Sequence, residues 1–253
     1  MKEQLISEQK LRRKNILSFL FFVFAFSAGI CFWFWLKHRP ADGGLLGGIP
    51  TPLRTGLNVN ERLFSAVFNK DKQVPTYAKS EAVPRVKVNG DVGMSTDEFN
   101  VSDWKLAFVK PSGDTAFFTM DDIKKLPKTE IIFDFKCIEG WSQKTWWGGV
   151  RFSDFLNYYH LNDVSEFKYA GLMTPDEEYY VGIDMPSMLQ SQTILCYEMN
   201  GQPLPMNQGY PLRLIIPVKY GIKHLKRIGT IFFSNEKPAD YWAERGYDYY
   251  AGH

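Results

Sequence analysis

The chain is predicted to fold as an α+β domain behind one long apolar helix. Short alternating apolar runs that read as strands are interleaved with short helical patterns, without a regular βαβ alternation or an internal repeat. At 253 residues and 45% hydrophobic content, the chain buries one sizeable core. A net charge of +2 with 23% charged residues carries no global nucleic-acid signature, so no nucleic-acid partner is expected.

Four segments follow in order: a basic N-terminus over 1–15, a transmembrane helix over 16–36, a Gly/Pro-rich linker over 37–57, and a globular domain over 58–253. Ile16 to Leu36 holds no charge, and as a helix it would extend roughly 32 Å, enough to cross a hydrocarbon layer of about 30 Å. It closes on Phe32-Trp33-Phe34-Trp35, an interfacial aromatic belt rather than the small residues of a cleavage site. Lys10, Arg12, Arg13 and Lys14 outweigh Lys37 and Arg39, which predicts a cytoplasmic N-terminus and a single-pass anchor holding the domain on the periplasmic side. Arg12-Arg13 also resembles a twin-arginine export signal. The linker, with Gly43, Gly44, Gly47, Gly48, Pro40, Pro50 and Pro52, reads as a tether or irregular strap.

Within the domain, Pro84 to Gly90 alternates like an edge strand, and Trp104 to Val109 like another. Thr119 caps a short helix to Leu126, Ile131 to Phe135 reads as a strand, and Trp146-Trp147-Gly148-Gly149 as an aromatic, glycine-turned pocket rim. Helices follow over Phe152–Tyr159, opened by Ser153, and over Met185–Leu189. Strands return at Thr193–Met199, Leu212–Ile216 and Ile228–Phe233.

Cysteine usage narrows the chemistry. The three cysteines are Cys31 in the apolar stretch, Cys137 and Cys196, so Cys137–Cys196 is the one intradomain disulfide available. No C-x-x-C pair exists, and His38, His160, His224 and His253 lack the spacing of an H-E-x-x-H site. Cys137 ends a strand and precedes Gly140-Trp141, a rigid placement for a soft-metal ligand. The same thiol also reads as a small buried hydrophobe, or as a nucleophile with His160 or His224 as base.

Three blocks decide among these. Lys136-Cys137-Ile138-Glu139-Gly140-Trp141-Ser142 is the first, and Asn200-Gly201-Gln202-Pro203-Leu204-Pro205, continuing through Gly209 to Pro217, is the second. The third is Lys219-Tyr220-Gly221-Ile222-Lys223-His224-Leu225-Lys226. In order and spacing they resemble the molybdopterin-binding domain of the sulfite oxidase family, its sulfoxide-reducing members above all, and the resemblance runs from about Asn58 to the C-terminus. Trp242 and the run Gly246 to Ala251 add to it.

The resemblance implies a sulfite-oxidase-type fold and a molybdenum–molybdopterin cofactor whose metal is held by Cys137, with no disulfide to Cys196. It implies that Arg213 and Lys223 clamp the cofactor phosphate and that the Gly221-Ile222-Lys223 backbone supplies amide donors. Thr174, Gln208 and either Asn58 or Asn60 fall at cofactor contacts. Gln208 stands where relatives have Asn or His, and Lys136 where they have Arg. Lys226 and Arg227 read equally as surface charges. The implied activity is oxygen-atom transfer on a small substrate, with sulfoxide reduction favoured over sulfite oxidation. Electrons are expected to pass through a separate partner, a membrane haem protein or a soluble cytochrome. The alternative is a subunit of a membrane complex that keeps the fold without turnover.

Overall fold

The computed structural model describes residues 2–253 apart from 44–47, 70, 72, 89 and 96–98, with residues 2–9 described by backbone alone. The chain divides into two compact units, Met1–Gly56 and Leu57–His253.

In the first unit, helix α1 (Lys2–Lys37) is continuous through the basic N-terminus. Its Lys10–Lys37 stretch is long and apolar enough to cross a membrane, with a mean hydropathy of 2.3 and none of it buried. Beyond α1 the chain turns back on itself: Ala41 bridges Pro50, and the Thr51 amide and hydroxyl both donate to the Pro40 carbonyl, at 3.0 and 2.7 Å. The expected irregular linker holds only to this point, and its Gly44 and Gly47 lie outside the described residues. From Thr51 the chain forms helix α2 (Thr51–Val67), where Pro52 sits in the first turn and has no intrahelical partner to lose. Glycine and proline density hid a 3.6-residue pattern marked by Val59, Leu63 and Val67.

In the second unit the elements are β1 (Leu106–Val109), β2 (Thr115–Phe118), α3 (Met120–Lys124), β3 (Thr129–Lys136), β4 (Ser142–Arg151) and α4 (Phe152–Tyr158). They continue with β5 (Tyr169–Met173), β6 (Tyr180–Asp184), α5 (Met185–Met188), β7 (Ile194–Met199), β8 (Gln202–Pro203), β9 (Arg213–Ile215) and β10 (Thr230–Ser234). One sheet has the order β2-β1-β10-β5-β6, antiparallel except for the parallel β1–β10 pair. The other runs β3-β4-β7-β8, with β9 also paired to β7. The α+β expectation is met.

The second sheet is covered on both faces, and its alternation shows it. Leu195 and Tyr197 of β7 enter the main core with Phe108, Phe155 and Ile231, while Ile194 and Cys196 enter a second cluster with Phe133, Phe135 and Trp147. Thr119 caps α3 through a capping box with Asp122, as its spacing predicts.

Three local expectations are corrected. Residues 84–88 run irregularly beside β4 instead of forming a strand, and Asn89 lies outside the described residues. Helix α4 begins after Arg151, without a Ser153 cap. Trp146 to Gly149 lie inside β4 rather than in turns. Gly149 sits at a register shift against β7, where a Cβ would fall 2.2 Å from the Leu195 carbonyl oxygen, so the glycine permits strand contact.

Candidate functional site

Strand β3 delivers Cys137 at its end, and the hairpin to β4 locks it there. The Cys137 amide donates to the Trp141 carbonyl at 2.9 Å, and the Gly140 amide donates to the Cys137 carbonyl at 3.1 Å. Gly140 takes φ 88°, a conformation for which glycine pays no steric penalty. The Trp141 indole donates to the Glu139 carboxylate at 2.9 Å and fixes the loop's outer edge. The Cys137 thiol is buried, free of any disulfide, and lines a cavity. Burial raises its pKa, so in the protein alone it stays protonated.

The facing wall is the short 3-10 turn Gly221–Lys223, whose Gly221 and Ile222 line the same cavity. The Tyr179 hydroxyl donates to the Ile222 carbonyl at 2.6 Å and ties this turn to the end of the β5–β6 hairpin. Trp242 and Tyr247, in edge contact at 5.0 Å, close the aromatic side.

The cations divide into two groups. Lys223 turns away from the cavity: its ammonium is ion-paired with buried Asp240 and donates to the Gly182 carbonyl at 2.9 Å. Lys219 is likewise paired with Asp184, at 2.6 Å. Lys226 instead lines the cavity, donating to the Gly90 carbonyl at 2.8 Å, and burial with the nearby Arg213 charge lowers its pKa to about 7. Lys223 thus already has its counter-charge in the protein, and the lysine that lines the cavity is Lys226.

Arg213, 1% exposed, lies behind the cavity wall. Its Nη1 donates to the Gln208 side chain at 2.8 Å and to the Gln208 carbonyl at 3.0 Å. Its guanidinium stacks over Trp147 at 4.6 Å, and its Nε has no hydrogen-bond partner among the described residues. Arg227 is also buried rather than superficial, with Nη1 bonded to the Ser95 carbonyl and Nη2 unpartnered among the described residues. Neither arginine has a carboxylate within ion-pairing distance among the described residues. Buried guanidinium donors left open in this way suit an anionic group.

The remaining expected residues are placed as follows. Gln208 is buried and orients Arg213. Thr174 is buried in a turn, its hydroxyl donating to Asp176 at 2.5 Å and accepting from the Tyr179 amide. Asn58 and Asn60, the expected N-terminal contacts, are exposed on α2 and do not line the cavity. Helix α2 turns both to solvent.

A nucleophilic thiol is not supported. His224 lines the cavity, but its Nδ1 accepts from the Ile216 amide at 3.4 Å and its Nε2 faces the Lys219 carbonyl at 3.1 Å. Burial and Arg213 hold its pKa down to about 3. His160 is exposed after α4 and does not line the cavity. Cys196 is fully buried in β7 with its pKa pushed up to about 12, a structural thiol as expected. Among the described residues no cluster of three or more His, Cys, Asp or Glu could hold a metal ion.

A cavity that brings one buried thiol together with Lys226 suits a soft metal delivered on an anionic organic ligand better than a metal held by protein alone. Residues 93–242 match the oxidoreductase molybdopterin-binding domain. The chain belongs to this family, the molybdenum-dependent oxidoreductases that include sulfite oxidase. Among its relatives is the putative protein-methionine-sulfoxide reductase subunit YedZ1 of Azospira oryzae, 31% identical over 74% of this chain and 70% of the relative. The protein-methionine-sulfoxide reductase catalytic subunit MsrP of Campylobacter jejuni is 31% identical, covering 60% of this chain and 57% of that protein. Mitochondrial sulfite oxidase of Rattus norvegicus is 27% identical over 54% of this chain and 30% of its own length.

Proposed function

We propose that this chain is a membrane-anchored molybdopterin oxidoreductase that transfers an oxygen atom to or from a small substrate, with sulfoxide reduction as its direction. The observation that carries this reading is the meeting of Cys137, Gly221, Ile222 and Lys226 in one cavity, backed by the open donors of Arg213 and Arg227. Cys137 would hold the molybdenum, and Lys226 with the two arginines would hold the phosphate of the pterin. The bound metal supplies two-electron redox chemistry and an oxygen acceptor or donor.

The protein's own contribution is binding and orientation. Cys137 would give up its thiol proton on ligation, against the upward pull of burial. Gln208 aims the Arg213 fork, and Tyr179 fixes the backbone of the facing turn. Trp242 and Tyr247 offer an apolar aromatic wall suited to an uncharged sulfoxide better than to sulfite. The names of the methionine-sulfoxide reductase relatives support that direction. The apolar helix supports the anchor, and the basic residues before it support a cytoplasmic N-terminus with the domain in the periplasm. A separate electron-transfer partner, a membrane haem protein or cytochrome, completes the reading.

The test is elemental analysis of the full chain, purified from a cofactor-competent host, beside Cys137→Ser. About one molybdenum per chain, lost in the variant while the fold persists, is the expected result. A metal-free wild-type chain that also lacks pterin would sink the oxidoreductase reading.

A further inference from the structure

Helix α2 is amphipathic with its faces reversed. In a soluble domain the apolar stripe of a surface helix turns to the core and the polar face to water. Here the stripe Val59, Leu63 and Val67, spaced by four, is 46, 62 and 78% exposed, and Leu53 and Phe64 are also exposed. The ion pairs lie on the opposite side, where Arg54 pairs with Asp42 and Glu61 with Lys237, while Val67 at the end of the stripe also borders a groove shared with Phe64 and Phe133. Ordering this helix leaves an apolar face uncovered, a cost that calls for an occupant.

The start of the helix identifies that occupant. The Thr51 amide and hydroxyl both bond to the Pro40 carbonyl, and Pro40 follows closely on Lys37, where α1 ends. Three residues reach at most about 11 Å, so α2 starts within that distance of the end of the apolar helix. Trp33 and Trp35 mark the interface there, and Arg39 stacks on Trp35 at 3.8 Å.

We infer that α2 is an interfacial helix whose Val59, Leu63 and Val67 face lies in the surface of the lipid bilayer. The inference rests on reading α1 as a membrane anchor. Its helix carries few charges, so the contact is driven by apolar burial rather than by anionic lipid. It limits how far the domain strays from the bilayer, which a flexible tether would not.

The test uses the full chain in phosphatidylcholine vesicles, in a Cys31→Ser background, with a nitroxide label at Leu63→Cys or Ser65→Cys. The Cys31→Ser parent, carried through the same labelling, is the blank for the two buried thiols. Power saturation compares collisions with oxygen, which favours lipid, and with a water-soluble nickel chelate. Position 63 is expected to favour oxygen several-fold over its ratio at position 65. Retention after alkaline carbonate extraction reads the α1 anchor separately. Position 63 open to nickel as fully as position 65, in a chain that carbonate does not release, overturns the inference and leaves the anchor standing. Shielding of position 63 from both relaxers also overturns it, because a protein surface then covers the face. Release by carbonate would sink the anchor, and with it the ground of this inference, whatever position 63 reports.

Discussion

Lys223 and Asp240 form an ion pair in which both side chains are almost wholly buried, while Lys226, one turn further on, lines the cavity beside Cys137. Two lysines in one basic run therefore do different work. The first closes the interior by joining the 3-10 turn to the C-terminal segment. The second brings a cation to the candidate cofactor site.

That division predicts opposite phenotypes. Lys223→Met strands the Asp240 carboxylate in the interior and is expected to cost about 3–5 kcal/mol of stability. Lys226→Met removes a desolvated charge, so the cofactor-free chain is expected to unfold at the same temperature or higher while molybdenum content falls severalfold. Thermal unfolding and elemental analysis of both variants separate the roles. A stable Lys223→Met protein that has lost its metal would restore the original assignment.

The depressed Lys226 pKa makes a pH prediction for the cofactor-free chain. The group falls from 10.5 to about 7 on folding. Between these values the unfolded chain holds the proton and the folded chain does not, so the unfolded state binds more protons and stability rises with pH. Lys219, lowered to about 8, titrates in the same direction. The readout is therefore the difference between wild type and Lys226→Met in denaturant midpoint from pH 7 to 10. A gap that closes as pH rises supports this reading. A gap of constant size would mean that Lys226 is not desolvated.

Much of this was legible in the sequence, and the failures have physical causes. Cys137 at a strand end, the Thr119 cap, and β1, β3, β7, β9 and β10 follow from local pattern. Strands β5 and β6 went unread because Gly171 and Gly182 interrupt their pattern. A Cβ at Gly182 would fall 1.9 Å from the Tyr249 hydroxyl, a tertiary reason that no local window contains. The Lys223 ion pair was unreadable for the same reason, since its partner Asp240 lies 17 residues away and only the folded chain brings them together. Burial of Lys226 and Arg227 was hidden because a run of cations without acids looks like a solvated face.

The Tyr179 hydroxyl ties the end of the β5–β6 hairpin to the Ile222 carbonyl on the cavity wall. Burial raises its pKa, so it remains a donor throughout the working range. Tyr179→Phe is expected to cost about 1 kcal/mol and to loosen cofactor retention without unfolding the chain. Molybdenum loss measured over hours of dialysis reads the second effect. Unchanged retention would make the bond purely structural.

Gln208 offers the sharpest test of the cationic site. Its amide oxygen accepts from Arg213 at 2.8 Å and its amide nitrogen donates to the Val86 carbonyl at 3.3 Å. Gln208→Glu keeps the shape and places a carboxylate on the guanidinium. Charge-assisted bonds are about twice as strong as neutral ones, so Arg213 gains a counter-ion inside the protein. Desolvation of the new carboxylate offsets much of that gain, and the cofactor-free chain should unfold within about 1 kcal/mol of wild type. The cost should fall on binding, because a phosphate approaching Arg213 now meets a neutralised cation. Molybdenum content is expected to drop severalfold, while Gln208→Asn, which keeps the charge, holds more metal than Gln208→Glu. Full metal loading of Gln208→Glu would show that Arg213 plays no electrostatic part in holding the cofactor.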